Sequence, residues 1–256
     1  MARSETADER LVSTLAWAQR VRQTLQPLLD AHGDRVSFRP GAKGIAMVGL
    51  LPERPQRGRS RVNDLDALVR DFETAFGTFC RDIPPEKVSE ADSVQSFLVR
   101  ESQPHGGHMR PIEAASIDSG DAVELRYVTD GIVLPIPTGK LASGILALRC
   151  DGGRSTPVLL QLSDNRQTKQ VLYRVETYAA LIDAHAARFA AIFGALLGTE
   201  IAFDGPTEKW IVWPAAVPGR DPQEGELSGR GIRVVTFKAS GSDGYTLRVG
   251  GRVNGD

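Results

Sequence analysis

The sequence predicts an α/β protein in which a central mixed sheet is flanked by helices. Apolar residues recur at helical steps of three or four in the first part of the chain and again over residues 167–197. Short runs rich in β-branched residues, bounded by glycine and proline, occupy residues 123–162 and 209–249. The runs at 144–150 and 157–162 are apolar at nearly every position, which is typical of strands covered on both faces. This order of helices, strands, a long helix and a further strand predicts an α/β sandwich.

Residues 1–61 are predicted to form a helix, a hairpin and a basic linker beside the main domain. Apolar residues spaced by three or four predict the helix over residues 6–30. Two short apolar runs, at 36–38 and 45–51, predict the strands of the hairpin. Residues 52–61 contain four arginines against one glutamate, which favours a solvated linker over the alternative, an arm that contacts phosphates.

Residues 62–214 are predicted to form the core. Asn63 is a natural N-cap, and the helix that follows it is expected to end at Pro84-Pro85. One helical stripe is predicted from Leu65, Leu68, Phe72, Phe76 and Phe79.

The second half of this core is expected to contain the sheet. Residues 123–137 predict a bent strand, and Asp151-Gly152-Gly153 predicts the turn of a hairpin. The helix over residues 167–197 would extend about 45 Å if it were straight, so a break is expected near 183–186. A further strand is predicted at 209–213.

Residues 215–256 are predicted to add a C-terminal hairpin to the core. Its strands are expected at 232–237 and 245–249, on either side of a turn rich in serine and glycine.

Composition excludes several classes of protein. The chain has 256 residues, with 31 Lys+Arg against 32 Asp+Glu and 41% hydrophobic residues, which excludes a polycation and wholesale disorder. Cys80 and Cys150 cannot form a disulfide framework, and reduced thiols are expected. No apolar run reaches the length of a membrane span, and the polar N-terminus does not resemble a secretory signal. A cytoplasmic protein without a membrane partner is the expectation.

Three short motifs contain residue types that can bind a metal, a phosphate or a base. His105 and His108 could share a metal, but a glycine-rich surface loop is the preferred interpretation of this His-Gly-Gly-His segment. Lys140 ends a Pro-Thr-Gly-Lys segment that lacks the upstream glycine spacing of a phosphate loop. Trp210 and Trp213 could stack bases beside a lysine, although anchoring a core or a subunit contact is the more ordinary role.

One stretch resembles a known superfamily. It comprises the bent strand VELRYVTDGIVLPIP, the hairpin GILALRCDGGRSTPVLLQL, the helix that begins QTKQVLYRVETYAALIDAH and the strand KWIVWP. In this order and wording it resembles the PD-(D/E)XK nucleases, whose fold is called restriction-endonuclease-like. The resemblance implies an acidic residue at the start of the second core strand and an acid-x-Lys triplet on the third. In such a site two carboxylates hold a divalent cation, and the lysine positions the attacking water.

The positions that match these motifs here lack ionisable groups. Gly144 stands where the first acid is expected, and Gln161 and Ser163 stand where the acid and the lysine of the triplet are expected. Glutamine is neutral and a poor metal ligand, and serine cannot replace an ammonium group. The sequence therefore predicts a catalytically degenerate nuclease-like protein that needs no cofactor and acts by binding nucleic acid or a protein partner.

Two other functions stay open at this stage. An active nuclease with Mg²⁺ or Mn²⁺ could use relocated residues, for which Asp130, Asp164 and Lys169 are the candidates. A structural subunit that forms homodimers is the second alternative. If nucleic acid binds, the predicted contacts are the basic residues near the hairpin and the following helix: Arg149, Arg154, Arg166, Lys169 and Arg174.

Overall fold

The computed structural model describes residues 5–51, 54–62, 64–82, 89–103, 106–114, 123–163, 168–215, 224–241 and 244–249. The helices are α1 (Ala7–Arg20), α2 (Gln26–His32), α3 (Leu65–Arg70), α4 (Phe72–Asp82), α5 (Glu90–Ser102), α6 (Thr168–Ala184), α7 (Ala186–Leu197) and α8 (Glu224–Gly229). The strands are β1 (Val36–Gly41), β2 (Gly44–Leu51), β3 (Arg54–Val62), β4 (Glu113–Ala114), β5 (Arg126–Asp130), β6 (Val133–Ile136), β7 (Gly139–Ala142), β8 (Ile145–Asp151), β9 (Arg154–Leu162), β10 (Glu208–Pro214), β11 (Ile232–Ser240) and β12 (Gly244–Val249).

A seven-stranded mixed sheet forms the centre of the molecule, in the order β4-β12-β11-β10-β9-β8-β5. Strands β5, β8 and β9 form an antiparallel meander, and β10 then runs parallel to β9 after the α6–α7 crossover. β11 is parallel to β10, and β12 returns antiparallel to β11. The predicted mixed α/β architecture with flanking helices is confirmed. The sheet continues from β10 through β11 and β12, which the sequence assigned to a C-terminal extension.

Both faces of this sheet are covered, as the doubly apolar strands predict. Alternate residues of each strand pack in opposite directions, so Leu159 and Ile211 contact α6 and α7, whereas Leu160 and Trp210 contact the side of α5. α1 also packs on the α6–α7 face, and the end of β2 packs on the α5 face. The positions next to Leu160 along β9 therefore lie on the α6 face.

The N-terminal helix has a π-helical turn that the periodicity did not predict. A capping box between Thr6 and Glu9 starts α1, but Val21–Leu25 adopt π-helical geometry before α2. Pro27 occupies the first turn of α2. Its ring would clash with the carbonyl four residues back in a regular α-helix, and the wider π-turn relieves that clash. Pro27 is the sequence signal for the difference.

A second sheet of three strands packs against α3 and α4. β1 and β2 form the predicted hairpin, and the phenylalanines of the predicted stripe are buried beneath it. Arg35 donates two hydrogen bonds to Glu73, the shorter at 3.0 Å, and this ion pair lowers the pKa of the Glu73 carboxyl. In place of the expected linker, residues 54–62 form β3, which pairs antiparallel with β2. Backbone pairing to β2 overrides the weak strand propensity of this arginine-rich segment.

The bent strand and the long helix are each divided into two elements. Gly131, at a φ of 66°, separates β5 from β6, and β6 pairs with β7 in a hairpin of its own. The helix breaks at His185, as predicted, and α7 ends at Gly198 in the left-handed conformation. Among the described residues no single helix is long and apolar enough to cross a membrane; α6 and α7 together meet that test, but they are bent by 90°.

Candidate functional site

The three positions that match the nuclease motifs lie together at one end of the central sheet. Ile145 pairs with Leu160, which places Gly144 beside Gln161 on the neighbouring strand. A Cβ atom on Gly144 would lie 3.2 Å from the Cα of Gln161 and only 2.0 Å from the carbonyl oxygen of Leu160. The glycine is therefore required by the close approach of β8 and β9. No side chain, acidic or otherwise, fits at this position without movement of the backbone.

The other two motif positions engage the backbone. Gln161 is 7% exposed, and its Nε2 donates to the carbonyl of Leu162 at 3.1 Å. The backbone N–H of Ser163 donates to the carbonyl of Val212 at 2.9 Å, which fixes the end of β9 against β10. This end of the sheet is well ordered by hydrogen bonds but offers no carboxylate at the matched positions.

Two lysines and a tyrosine lie on β7 and α6, the elements that precede β8 and follow β9 in the chain. Lys140 lies on β7 and Lys169 in the first turn of α6, and both side chains are exposed. Tyr173 follows Lys169 by one helical turn, is 48% exposed and shares a hydrogen bond of 3.1 Å with Thr138. The hydrogen bond ties the β6–β7 hairpin, which carries Lys140, to α6, which carries Lys169 and Tyr173. Within the described part of the chain, neither lysine forms an ion pair.

Farther along α6, two charged residues are less available. Arg174 is half-buried, and its Nε is buried without a hydrogen-bond partner in the described structure. Glu176 pairs with Arg230, with 2.9 Å between oxygen and nitrogen. The acidic charge of Glu176 is thus partly neutralised where it could oppose an anionic ligand.

The predicted basic cluster is divided between the two ends of β9. Arg154 begins β9 at the hairpin turn, whereas Lys169 follows the opposite end of that strand. Nine strand residues separate these ends by about 26 Å. Arg149 lies near the turn, where it pairs with Glu208 and, at 3.4 Å, with Asp151. Arg166 lies outside the described residues.

Asp130 lies on the other face of the sheet. It is fully buried, accepts a hydrogen bond of 3.2 Å from the Tyr127 hydroxyl, and is held by Gln95 of α5 and by an ion pair with Arg39 of β1. Burial raises the pKa of Tyr127, and the negative charge of Asp130 raises it further, so this phenol stays protonated and donates. We refer to Asp130, Arg39, Gln95 and Tyr127 as the Asp130 cage.

This placement separates Asp130 from the motif positions. Asp130 pairs with Ile145, whose side chain packs on the α5 face of the sheet. Gln161 pairs with Ile211, whose side chain packs on the α6 face. A cation between Gly144 and Gln161 would therefore be on the wrong side of the sheet for Asp130. The second relocated candidate, Asp164, lies outside the described residues.

Metal-ligating side chains are not concentrated anywhere in the described ranges. No group of three or more His, Cys, Asp or Glu residues within them could hold a metal ion. His108 forms an isolated bridge with Arg126, and His105 falls outside those ranges. Trp210 and Trp213 are both fully buried, which confirms their predicted role in the core.

Comparison with protein-family models, with curated proteins and with solved structures gives no match for this chain.

Several residues of the site could not be found from the sequence. Arg39 on β1 and Gln95 on α5 are single polar residues on separate elements, and only the packing of the second sheet and of α5 against the central sheet brings them to Asp130. From the sequence alone, Tyr173 could equally be an ordinary residue on the polar side of a helix or part of a binding surface. For Lys140 the sequence offered a weak sign, the Pro-Thr-Gly-Lys turn, which lies beside the site without forming a phosphate loop.

Proposed function

We propose that this chain is a catalytically inactive relative of the PD-(D/E)XK nucleases that binds nucleic acid at the Gly144 end of its central sheet. The topology supports the proposal. An antiparallel meander of β5, β8 and β9, followed by a helical crossover to a parallel β10, is the order of elements that the resemblance implies.

The packing around Gly144 is the main support for the proposed lack of catalysis. The position where the nuclease motif requires an acid has no space for a side chain, because the carbonyl of Leu160 occupies it. Gln161 beside it is neutral, and the buried carboxylate of Asp130 faces the opposite side of the sheet. Two-carboxylate coordination of a divalent cation is therefore not supported at the matched positions.

Binding is supported by exposed charges and an exposed aromatic ring on β7 and α6, the elements next to β8 and β9 in the chain. Lys140 and Lys169 are exposed and can approach phosphates, while Tyr173 offers a ring on which a base can stack. Aromatic stacking beside cations tolerates any base, so the expected binding depends on salt and little on sequence. A single strand, whose bases are free to stack, is the expected form.

We expect a labelled single-stranded oligonucleotide to bind in EDTA, with an affinity that falls as salt rises. The double substitution Lys140→Gln/Lys169→Gln removes two phosphate contacts, so the slope of log affinity against log salt should become shallower by about 1.4 for a single strand. Tyr173→Ala should weaken binding by about 1–3 kcal/mol through the loss of stacking. Fluorescence anisotropy titrations over a range of salt concentrations measure both effects.

The matched control is Lys43→Gln, because Lys43 is an exposed lysine in the β1–β2 turn, away from this end of the sheet. Its affinity and slope should equal those of the unaltered protein. Equal losses in the control and in the double variant would refute the proposed site. Cleavage of the oligonucleotide on addition of Mg²⁺ or Mn²⁺ would replace the proposal with an active nuclease.

Homodimerisation receives no specific support. Among the described residues the exposed large hydrophobic side chains are Val12, Val69 and Tyr173, and each lies on a different helix.

A further inference from the structure

A second polar site lies away from the Gly144 end of the sheet. A cleft of about 250 Å³ opens between the π-helical turn, the N-terminal part of β5 and the end of α7. Arg22 and Arg126 line it from opposite elements, and Phe38, Leu29 and Leu197 form apolar parts of its wall. It is independent of the proposed nucleic-acid site in position and in the residues that form it.

Arg126 is the deeper of the two cations. Its side chain is half-buried, its Nε is buried without a hydrogen-bond partner, and no carboxylate within the described ranges pairs with it. The left-handed Gly107, at a φ of 83°, brings the backbone close: a Cβ there would lie 3.8 Å from that Nε. A half-buried guanidinium without a counter-charge is costly unless a ligand satisfies it.

Arg22 lies at the mouth of the cleft and is held in position. Its guanidinium packs over Gly198 at the end of α7, where a Cβ would come within 2.8 Å of it. Arg22 also donates to Gln26 at 2.8 Å, and Gln26 donates to Asp30 at 2.7 Å. Asp30 is the acidic residue of the lining, and it does not pair with either arginine. The positive charge of the two guanidinium groups therefore exceeds the negative charge of the lining.

The π-helical turn itself belongs to this site. Val21–Leu25 place both Val21 and Arg22 in the cleft wall. Short π-helical segments are frequent at functional sites, because the wider turn redirects side chains that a regular helix would place elsewhere. Here the turn aims a cation and an apolar side chain at the same space.

We propose that this cleft binds a small organic anion, a carboxylate or phosphate monoester on a planar apolar body, with Arg126 and Arg22 on the anionic group. Guanidinium groups bind both anions through paired hydrogen bonds. An apolar cavity of about 150 Å³ accommodates benzene, so the cleft is large enough for one ring and its anionic substituent.

The test uses phenyl phosphate and benzoate as probes, with phenol as the uncharged counterpart, in calorimetric titrations of the whole chain. At least one of the two anions is expected to bind while phenol does not, and the stronger of the two identifies the anionic group. Arg126→Met should lower that affinity about tenfold or more. Arg22→Met should lower it by a smaller factor, because Arg22 is at the mouth. Arg154→Met, an exposed arginine at the β8–β9 turn, is the matched control and should change nothing.

Each alternative result overturns the proposal. The proposal is wrong if Arg126→Met binds the anions as tightly as the unaltered protein does, or if phenol binds as tightly as the anions. It is also wrong if neither anion binds. If Arg126→Met does not fold, Arg126→Lys keeps the charge but loses the paired geometry and should still weaken binding. Oligonucleotide binding should be unaffected by the Arg126 variants, so the two proposals fail or succeed separately.

Discussion

Gly144→Ala is expected to lower the free energy of unfolding by about 3 kcal/mol, near the upper end for overpacked positions. The added Cβ would lie 2.0 Å from the carbonyl oxygen of Leu160 and 2.9 Å from its carbonyl carbon. Both atoms belong to the backbone of β9, which is paired on each side, so neither can move without disturbing the ladders to β8 and β10. Urea unfolding followed by the fluorescence of the buried Trp210 and Trp213 measures the loss.

Gly77→Ala is the matched control for this prediction. Gly77 lies within α4, and nothing lies within 4 Å of the Cβ that alanine would add there. Alanine is a better helix former than glycine, so this variant should gain about 0.5–1 kcal/mol. Opposite signs for the two substitutions identify the steric contact at Gly144. A loss smaller than about 1 kcal/mol in Gly144→Ala would show that β8 can move away from β9 at little cost.

The same contact limits how the nuclease motif could be rebuilt. Restoring an acid by Gly144→Asp would introduce the same Cβ, so failure to bind metal would report misfolding and not the wrong motif position. Gln161→Glu leaves Gly144 intact and restores one of the two carboxylates that would hold a divalent cation. Gain of divalent-cation binding in that variant, measured by calorimetry, would support the matched position on β9.

Asp130→Asn is expected to destabilise the protein by about 3 kcal/mol, because it leaves the Arg39 guanidinium without its counter-charge. Asp130 is fully buried, and its two oxygens accept from Tyr127, Gln95 and Arg39. An asparagine NH₂ group at either oxygen position would face one of these donors. Urea unfolding again measures the change, with Asp151→Asn as the control. Asp151 is 79% exposed and pairs with Arg149 at the surface, so its loss should stay within about 0.5 kcal/mol.

A double-mutant cycle separates the charge pair from the rest of the Asp130 cage. Arg39→Met/Asp130→Asn should be less destabilised than the sum of the single variants, by about 1–3 kcal/mol. Simple additivity would contradict an energetic link between the two residues. Loss of any activity on substitution of Asp130 would reflect this structural role first, so it cannot serve as a test of catalysis.

Elements defined by local sequence were predictable. The phenylalanines of α4 repeat with the helical period and are buried as a row. The β8–β9 turn follows from Gly152 and Gly153, which both adopt a positive φ. The break near His185 followed from length alone, because a straight helix would exceed the width of the domain.

Elements that depend on distant partners were not predictable. β3 is a strand because β2 offers it an edge, and its own residues favour a loop. The face on which Asp130 lies was hidden by a bulge between Tyr127 and Thr129, which shifts the alternation of side chains along β5. For the same reason, the sequence could place Gly144 and Gln161 on neighbouring strands but could not bring Lys140 to Tyr173, or Arg22 to Arg126.

The pairing of β4 with β12 has a consequence for how the chain folds. Glu113 and Ala114 complete one margin of the sheet only by aligning with a strand that is synthesised after every other strand described. β11, which covers the free edge of β10, is also synthesised late, so during synthesis the backbone groups along that edge of β10 stay unpaired until β11 emerges. Such late, long-range closure predicts slow folding and a nascent chain that is prone to edge-to-edge association. Truncation before β11 should accordingly yield aggregates, whereas the intact chain refolds.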